Sequence, residues 1–233
     1  MLKKINTIRF SYFRRIIVLP IVALLLLLFA FRNTEQLATA AAIENEYVVI
    51  LDAGHGGHDH GVQSSGGEAE AELALELVRQ IKAMNKNPLI RFELSRDKDE
   101  YVKLQDRTQF SVDRKANLFV SVHLNGSPDK ERRGLEIYCP KEGSHGYIQS
   151  LPLASIVEQS LTGIFTSSAV KTRKKHSIWV LDKSMVPAIL IESGYLSNAQ
   201  DLGLFKSKKE EIAKGIIKGI EQYLAQQEKR VVQ

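Results

Sequence analysis

Three short runs constrain this chain more than anything else in it: "YVVILD" (residues 47–52), "NLFVSVHLN" (117–125) and "PAILIES" (187–193). Each is almost unbroken in its apolarity and rich in β-branched residues. A strand with one wet face alternates apolar and polar side chains, whereas a run without alternation is buried on both faces. Runs this short, stopped by Gly, Asn or Ser, are strands. The chain therefore needs a sheet covered on both sides. "LIRFELSR" (89–96) and "GLEIYC" (134–139) alternate and add further strands, and "SIWVL" (177–181) reads as another. Helical patterns lie between them. "EAEAELALELVRQIKAM" (68–84) is built from strong helix formers, with Leu73, Leu77, Val78, Ile81 and Met84 at helical spacing. Residues 102–115 read as a helix with Leu104, Phe110 and Val112 facing inward. A helix follows around 149–165, and "KKEEIAKGIIKGIEQYLAQQ" (208–227) closes the chain as an amphipathic helix. The expected architecture is α/β: one domain over 47–227, its sheet mixed and mostly parallel with helices on both faces, and 228–233 a fraying tail.

The buried runs share a second property. "VVILD-AGH" runs into His55, "LFVSV-H" into His123 and "AILI-E" into Glu192. In open α/β sheets, sites form outside the carboxyl ends of the strands. Taken singly, each residue has a bland explanation, a hydrogen-bonded rim histidine or a glutamate paired with an arginine. Taken together, two imidazoles and a carboxylate suggest zinc with one position left for water. The loop "DAGHGGHDHG" (52–61) holds three of the six histidines, His55, His58 and His60, which raises the idea of a metal site contained in one loop. Only His55 directly follows a strand that fixes its position.

The segments "VVILDAGHGGHDHG", "LFVSVHLN" and "PAILIESGYLSN" resemble the signatures of the zinc-dependent N-acetylmuramoyl-L-alanine amidases, the type-3 amidase family of cell-wall hydrolases. That pattern runs as D-x-G-H-G-G-x-D-x-G after a strand, E-K-D at a helix start, S-I-H-x-N, then V-E-x-G-F-L-S-N. "LSRDKDEYVKLQDR" and "GLEIYC" resemble its T-R-x-x-D…L-x-x-R and G-x-E-x-Y segments, so the likeness covers about residues 47–226 in order. It implies an α/β fold, peptidoglycan as substrate and hydrolysis of the amide between N-acetylmuramic acid and L-alanine. It further implies one Zn2+ per chain, which acidifies a water and polarises the amide carbonyl. Carried over, His55 and His123 match the ligand histidines and Glu192 the catalytic acid/base. The third ligand falls within "EAEAE" (68–72), where the family has E-K-D. Counted from Glu70, the family's apolar helix positions land on Leu73, Leu77, Val78, Ile81 and Met84. Counted from Glu68 they take in Glu76, Arg79 and Lys82; from Glu72, Arg79, Gln80 and Lys86. Glu70 is therefore the expected ligand and Glu68 the runner-up. The absent Lys-Asp pair puts the hydrogen bonding around the zinc in question. Arg107 and Asn125 also match the pattern, either supporting loops or meeting substrate. His58 and His60 fall on variable positions and are expected exposed at the groove rim. The segment after Cys139 is short where some relatives carry an inhibitory helix, which implies open access and no required regulatory partner.

The N-terminus reads separately. A basic stretch, residues 1–15, precedes the apolar run "IIVLPIVALLLLLFAF" (16–31), the order of an export signal or a membrane anchor. Ala38-x-Ala40 offers a cleavage pattern within a linker, 32–46. The expected location is extracytoplasmic or periplasmic, with a membrane contact if the run is uncleaved. The net charge of +5 lies here: residues 1–40 hold six Lys/Arg and one acid, and the remainder has 26 of each sign. A domain of zero net charge argues against nucleic acid as a partner. Cys139 is the only cysteine, so no intrachain disulfide forms, and it reads as a small buried hydrophobe. Two other functions remain open on the residues: a zinc peptidase cutting stem-peptide bonds, and a wall-binding protein that has lost catalysis.

Overall fold

Each of the three unbroken apolar runs forms an interior strand. The computed structural model describes residues 24–32, 46–165, 167–172 and 177–231. The elements from Tyr47 onward are β1 (Tyr47–Ala53), α1 (Glu70–Met84), β2 (Ile90–Leu94), α2 (Leu104–Asp113), β3 (Leu118–Asn125), β4 (Leu135–Cys139), α3 (Tyr147–Ser160), β5 (Ser168–Thr172), α4 (Trp179–Asp182), β6 (Ala188–Tyr195) and α5 (Ala199–Val231). One six-stranded sheet has the order β2-β1-β3-β6-β4-β5. Neighbours are parallel except β4 and β6, which are antiparallel.

The period of two along each strand sorts the side chains into two cores. Val49, Leu51, Val120, Val122, Ile189 and Ile191 join residues of α1, α3 and α5 on one face. Val48, Ile50, Phe119, Ala188 and Leu190 join Val180 and Leu181 on the other. The second set continues along the same strands, at the same parity, into Asp52, His123 and Glu192. The sheet thus delivers its chemistry to the strand ends of the face covered by the short helices α2 and α4, while the long helices cover a mostly apolar face.

Four expectations are corrected. "SIWVL" is not a strand: Leu181 and Asp182 donate their N–H groups back to the Ile178 carbonyl, making the single turn α4. A five-residue apolar run cannot be assigned by periodicity alone, because a buried helical turn shows the same run. The outer strand is instead β5, a mixed polar segment paired with β4. In α2, Leu104 and Val112 are 48% and 47% exposed, and the buried positions are Arg107, Thr108 and Ser111. That helix faces polar groups at the strand ends rather than an apolar core. The last helix begins at Ala199, bends at Lys208 where φ is −116°, and continues to Val231 through most of the expected tail.

The unit Met1–Glu46 is distinct from Tyr47–Gln233. Within it, residues 24–32 are helical and exposed. The rest of the expected signal or anchor core, residues 16–23, and the Ala38-x-Ala40 pattern lie outside the described residues. No helix among the described residues is long and apolar enough to cross a membrane.

Candidate active site

β1 ends in a loop shaped to aim one imidazole. His55 adopts φ of 58°, a left-handed conformation that few non-glycine residues hold without support from their surroundings. Gly56 and Asp59 exchange backbone hydrogen bonds, which turn the chain back so that the Asp59 carboxylate accepts from His55 Nδ1 at 2.9 Å. His55 Nε2 is left pointing inward, 3.2 Å from Glu70 Oε1. Gly54 must lack a side chain, since a Cβ there would lie 2.3 Å from Cε1 of the His123 ring.

Glu70 is the first residue of α1, where the helix dipole favours a carboxylate. It is 3% exposed. Its Oε1 receives His123 Nδ1 at 2.7 Å and the Leu124 N–H, and its Oε2 receives the Val62 N–H at 2.9 Å. His55, Glu70 and His123 each offer one ligand atom, all within 4.8 Å of one another. Glu68 turns away, accepting from Ser64 and from Lys206 on α5, and Glu72 is exposed. Leu73, Leu77, Val78 and Ile81 are buried and Met84 packs against them, the face that aims Glu70 inward.

Electrostatics follow from this packing. Burial works against protonating His55, but hydrogen bonds and charge from Glu70 and Asp59 outweigh it and push the imidazole up to about 9. His123 is raised in the same way: burial opposes, and Glu70 followed by the charge of Glu192 prevails. Burial alone would raise Glu70, yet the two imidazoles hold it far below the usual carboxylate range. The cluster is one carboxylate shared between two imidazoles, a donor set of the kind that holds catalytic zinc through three protein ligands. The bonds from Asp59, Val62 and Leu124 are the outer contacts that such ligands need. Glu192 stands beside His123 in register across β3 and β6.

A family model described as N-acetylmuramoyl-L-alanine amidase, Amidase_3, matches residues 49–222, which takes in all four of these residues. The chain belongs to that amidase family. The probable cell wall amidase LytH of Staphylococcus epidermidis is 26% identical over 181 residues, covering 76% of this chain and 58% of the relative. The chain thus spans little more than half the length of that relative. The catalytic domain of CwlV, an N-acetylmuramoyl-L-alanine amidase from Bacillus (Paenibacillus) polymyxa var. colistinus, is 30% identical with a TM-score of 0.69, covering 77% of this chain and 98% of its own. The CwlD amidase of Clostridioides difficile, solved in complex with the GerS lipoprotein, gives 26% and 0.69, covering 77% and 99%.

Within this amidase domain, the two matched residues left open by the sequence make internal hydrogen bonds. Arg107 is buried and donates to Asp52 Oδ1 at 2.6 Å and to the carbonyls of Ala53, His55 and Val102. It supports the loop that carries His55. Asn125 donates to Glu136 at 3.3 Å and accepts from the Gly126 N–H. Sequence reasoning missed Arg96, which clamps the same loop through the carbonyls of Ala53, Gly54 and Ala71. Ala71 stands where the family has Lys of E-K-D, so here α1 is tied to the loop through its backbone. It also missed Glu136, the cross-strand partner of Glu192. Like charges directly opposite repel. Burial would raise Glu136, but Lys171, Tyr138 and Tyr195 bring it down to about 2, and Arg132 adds a further bond at 3.1 Å. The available signal was an acid at an interior position of "GLEIYC", a strand buried on both faces rather than one. His58 and His60 are exposed, as expected, and Cys139 is buried with its thiol pushed up to about 11 by burial, hence inert.

Arg107→Ala tests the support. Asp52 is 1% exposed and would keep only the hydroxyls of Ser95 and Ser121 as partners. Leaving a buried charge uncompensated costs roughly 3–5 kcal/mol. The midpoint of thermal unfolding is expected to fall by about 10 °C in calorimetry for a domain of this size. An unchanged midpoint would remove Arg107 from this role.

Proposed function

We propose that this chain hydrolyses the amide between the lactyl group of N-acetylmuramic acid and the L-alanine of the stem peptide in peptidoglycan, with one zinc ion per chain held by His55, Glu70 and His123. The observation that carries the reading is the convergence of these three ligand atoms at strand and helix ends, with Glu192 beside them. Zinc, when bound, supplies a Lewis acid for the amide carbonyl and makes water acidic enough to attack at neutral pH. The residues of the chain do the rest. Asp59 holds His55 in one orientation, and the Val62 and Leu124 amides fix the Glu70 carboxylate. Glu192 takes the proton of the attacking water and returns it to the alanine amine as that leaves. The ion pairs of Glu136 with Lys171 and Arg132 keep its charge from competing for that proton.

The test is mass spectrometry of products from purified peptidoglycan, with and without a chelator. Intact stem peptides freed from the glycan, only when zinc is present, are expected. Cuts within the stem peptide would instead establish a zinc peptidase, and binding without products a wall-binding protein. We also infer that residues 16–31 export the chain or anchor it at the extracytoplasmic face of the membrane. No activator is required in this reading, because residues 140–146 join β4 directly to α3 with no inserted helix.

A further inference from the structure

The crevice has two unlike ends. At one end, around the carboxyl end of β1, is a cavity of about 190 Å³ beside His55 and His123, walled by Tyr101, Val102, Leu104 and Val180. Tyr101 is 47% exposed. Its ring lies 4.2 Å from that of the exposed His58 at a tilt of 36°, so the histidine packs against it. Its backbone is pinned as well. Gly57 donates to Asp99 at 2.8 Å, and a Cβ on Gly57 would come within 2.7 Å of the Tyr101 nitrogen. The result is a rigid aromatic face next to the metal ligands. The opposite end, past Glu192, presents Arg132 and Lys171, partly exposed and gathered on Glu136.

We propose that Tyr101, backed by His58, is the platform on which the N-acetylmuramoyl ring stacks, while the stem peptide runs the other way across Glu192 toward Arg132 and Lys171. This rests on the amidase reading and gives the substrate a direction. A pyranose ring is uncharged and presents a face of C–H bonds, which suits an aromatic side chain with an apolar body and a polar tip. The stem peptide carries carboxylates, which belong at the cationic end. The sugar joins the scissile amide through the lactyl group alone, so its ring must lie within a few bonds of the metal ligands, where Tyr101 stands. Leu104 and Val180 are then left for the lactyl and N-acetyl methyl groups.

The test is binding to the zinc-loaded full chain carrying Glu192→Gln, so that turnover is not needed for the readout. N-acetylmuramoyl-L-alanyl-D-isoglutamine is compared with its sugar-free N-lactyl analogue. The sugar-bearing ligand is expected to bind about tenfold more tightly, the scale of one aromatic face contact. Tyr101→Ala is expected to erase that preference and Tyr101→Phe to keep it. Saturation transfer from the aromatic protons should reach the pyranose protons. A preference untouched by Tyr101→Ala, or transfer to the alanine methyl in place of the sugar, overturns the proposal. Failure of the amidase reading shows separately, in the products of the unmodified chain on peptidoglycan.

Discussion

Glu192→Gln is expected to leave zinc content and thermal midpoint unchanged and to lower kcat on peptidoglycan by roughly 10²–10⁴-fold, the range for a lost general acid/base. The substitution keeps the shape of the side chain and its place in the register between His123 and Glu136. It removes the ability to accept and return a proton, together with the negative charge that adds to the upward push on His123. Because the proton moves in the transition state and not in the bound substrate, kcat and kcat/KM should fall together with KM little changed. Two comparisons separate this from a packing defect. Metal content by mass spectrometry reads the neighbouring proposed ligand His123, and circular dichroism reads the sheet. Full activity in Glu192→Gln would falsify the assignment of the proton carrier. Loss of zinc together with activity would recast Glu192 as part of the metal site.

That prediction could be framed from the sequence because of where the chemistry sits. His55, His123 and Glu192 stand out in the sequence because each interrupts an apolar run toward the carboxyl end of an interior strand, where a buried polar group needs a reason to be present. The parity of two then decides that His123 and Glu192 share a face once β3 and β6 are neighbours in register. Strand order is not written in any single run, however, and the pairing had to come from the structure. Glu70 was legible for a related reason: the apolar stripe Leu73, Leu77, Val78, Ile81 is set by the core it fills, and it leaves one glutamate of "EAEAE" facing inward.

What sequence reasoning misread follows the same logic in reverse. "SIWVL" is not a strand because it packs as a buried turn against α2 and β6, while β5 (Ser168–Thr172) went unread because an outer strand with one neighbouring strand needs no unbroken apolarity. The inward face of α2 was misjudged because it carries Arg107, whose polarity is met by Asp52 and the carbonyls of Ala53 and His55, all far away in sequence, and by the nearby Val102 carbonyl. Buried polar groups held by distant partners have no periodic signature. Arg96 and Glu136 belong to the same class. They are the residues that make the loop and the crevice rigid, and they become visible only when their partners are in place.

The second large effect concerns the choice among the glutamates. Glu70→Ala is expected to lose zinc on dialysis and with it all amidase turnover, whereas Glu68→Ala keeps one zinc per chain, since its partners are the exposed Lys206 and the loop hydroxyl of Ser64. Asp59→Ala falls between, with affinity lowered roughly 10–100-fold, because Asp59 orients His55 without binding the metal. pH gives an independent check. In the metal-free chain His55 is pushed up to about 9, so at neutral pH its proton must leave before zinc can take its place. Zinc affinity of the unmodified chain is therefore expected to go on rising with pH above neutrality, because both His55 and His123 hold their protons more tightly than a free imidazole. In Glu70→Ala the largest source of that upward push is gone, and the residual pH dependence shifts toward the ordinary histidine range near 6.5. Isothermal titration in buffers of different ionisation enthalpy reads the protons released at each pH. Retention of one tightly held zinc in Glu70→Ala, with loss in Glu68→Ala, would reverse the assignment and require α1 to be rotated by about half a turn from the register that its apolar stripe sets.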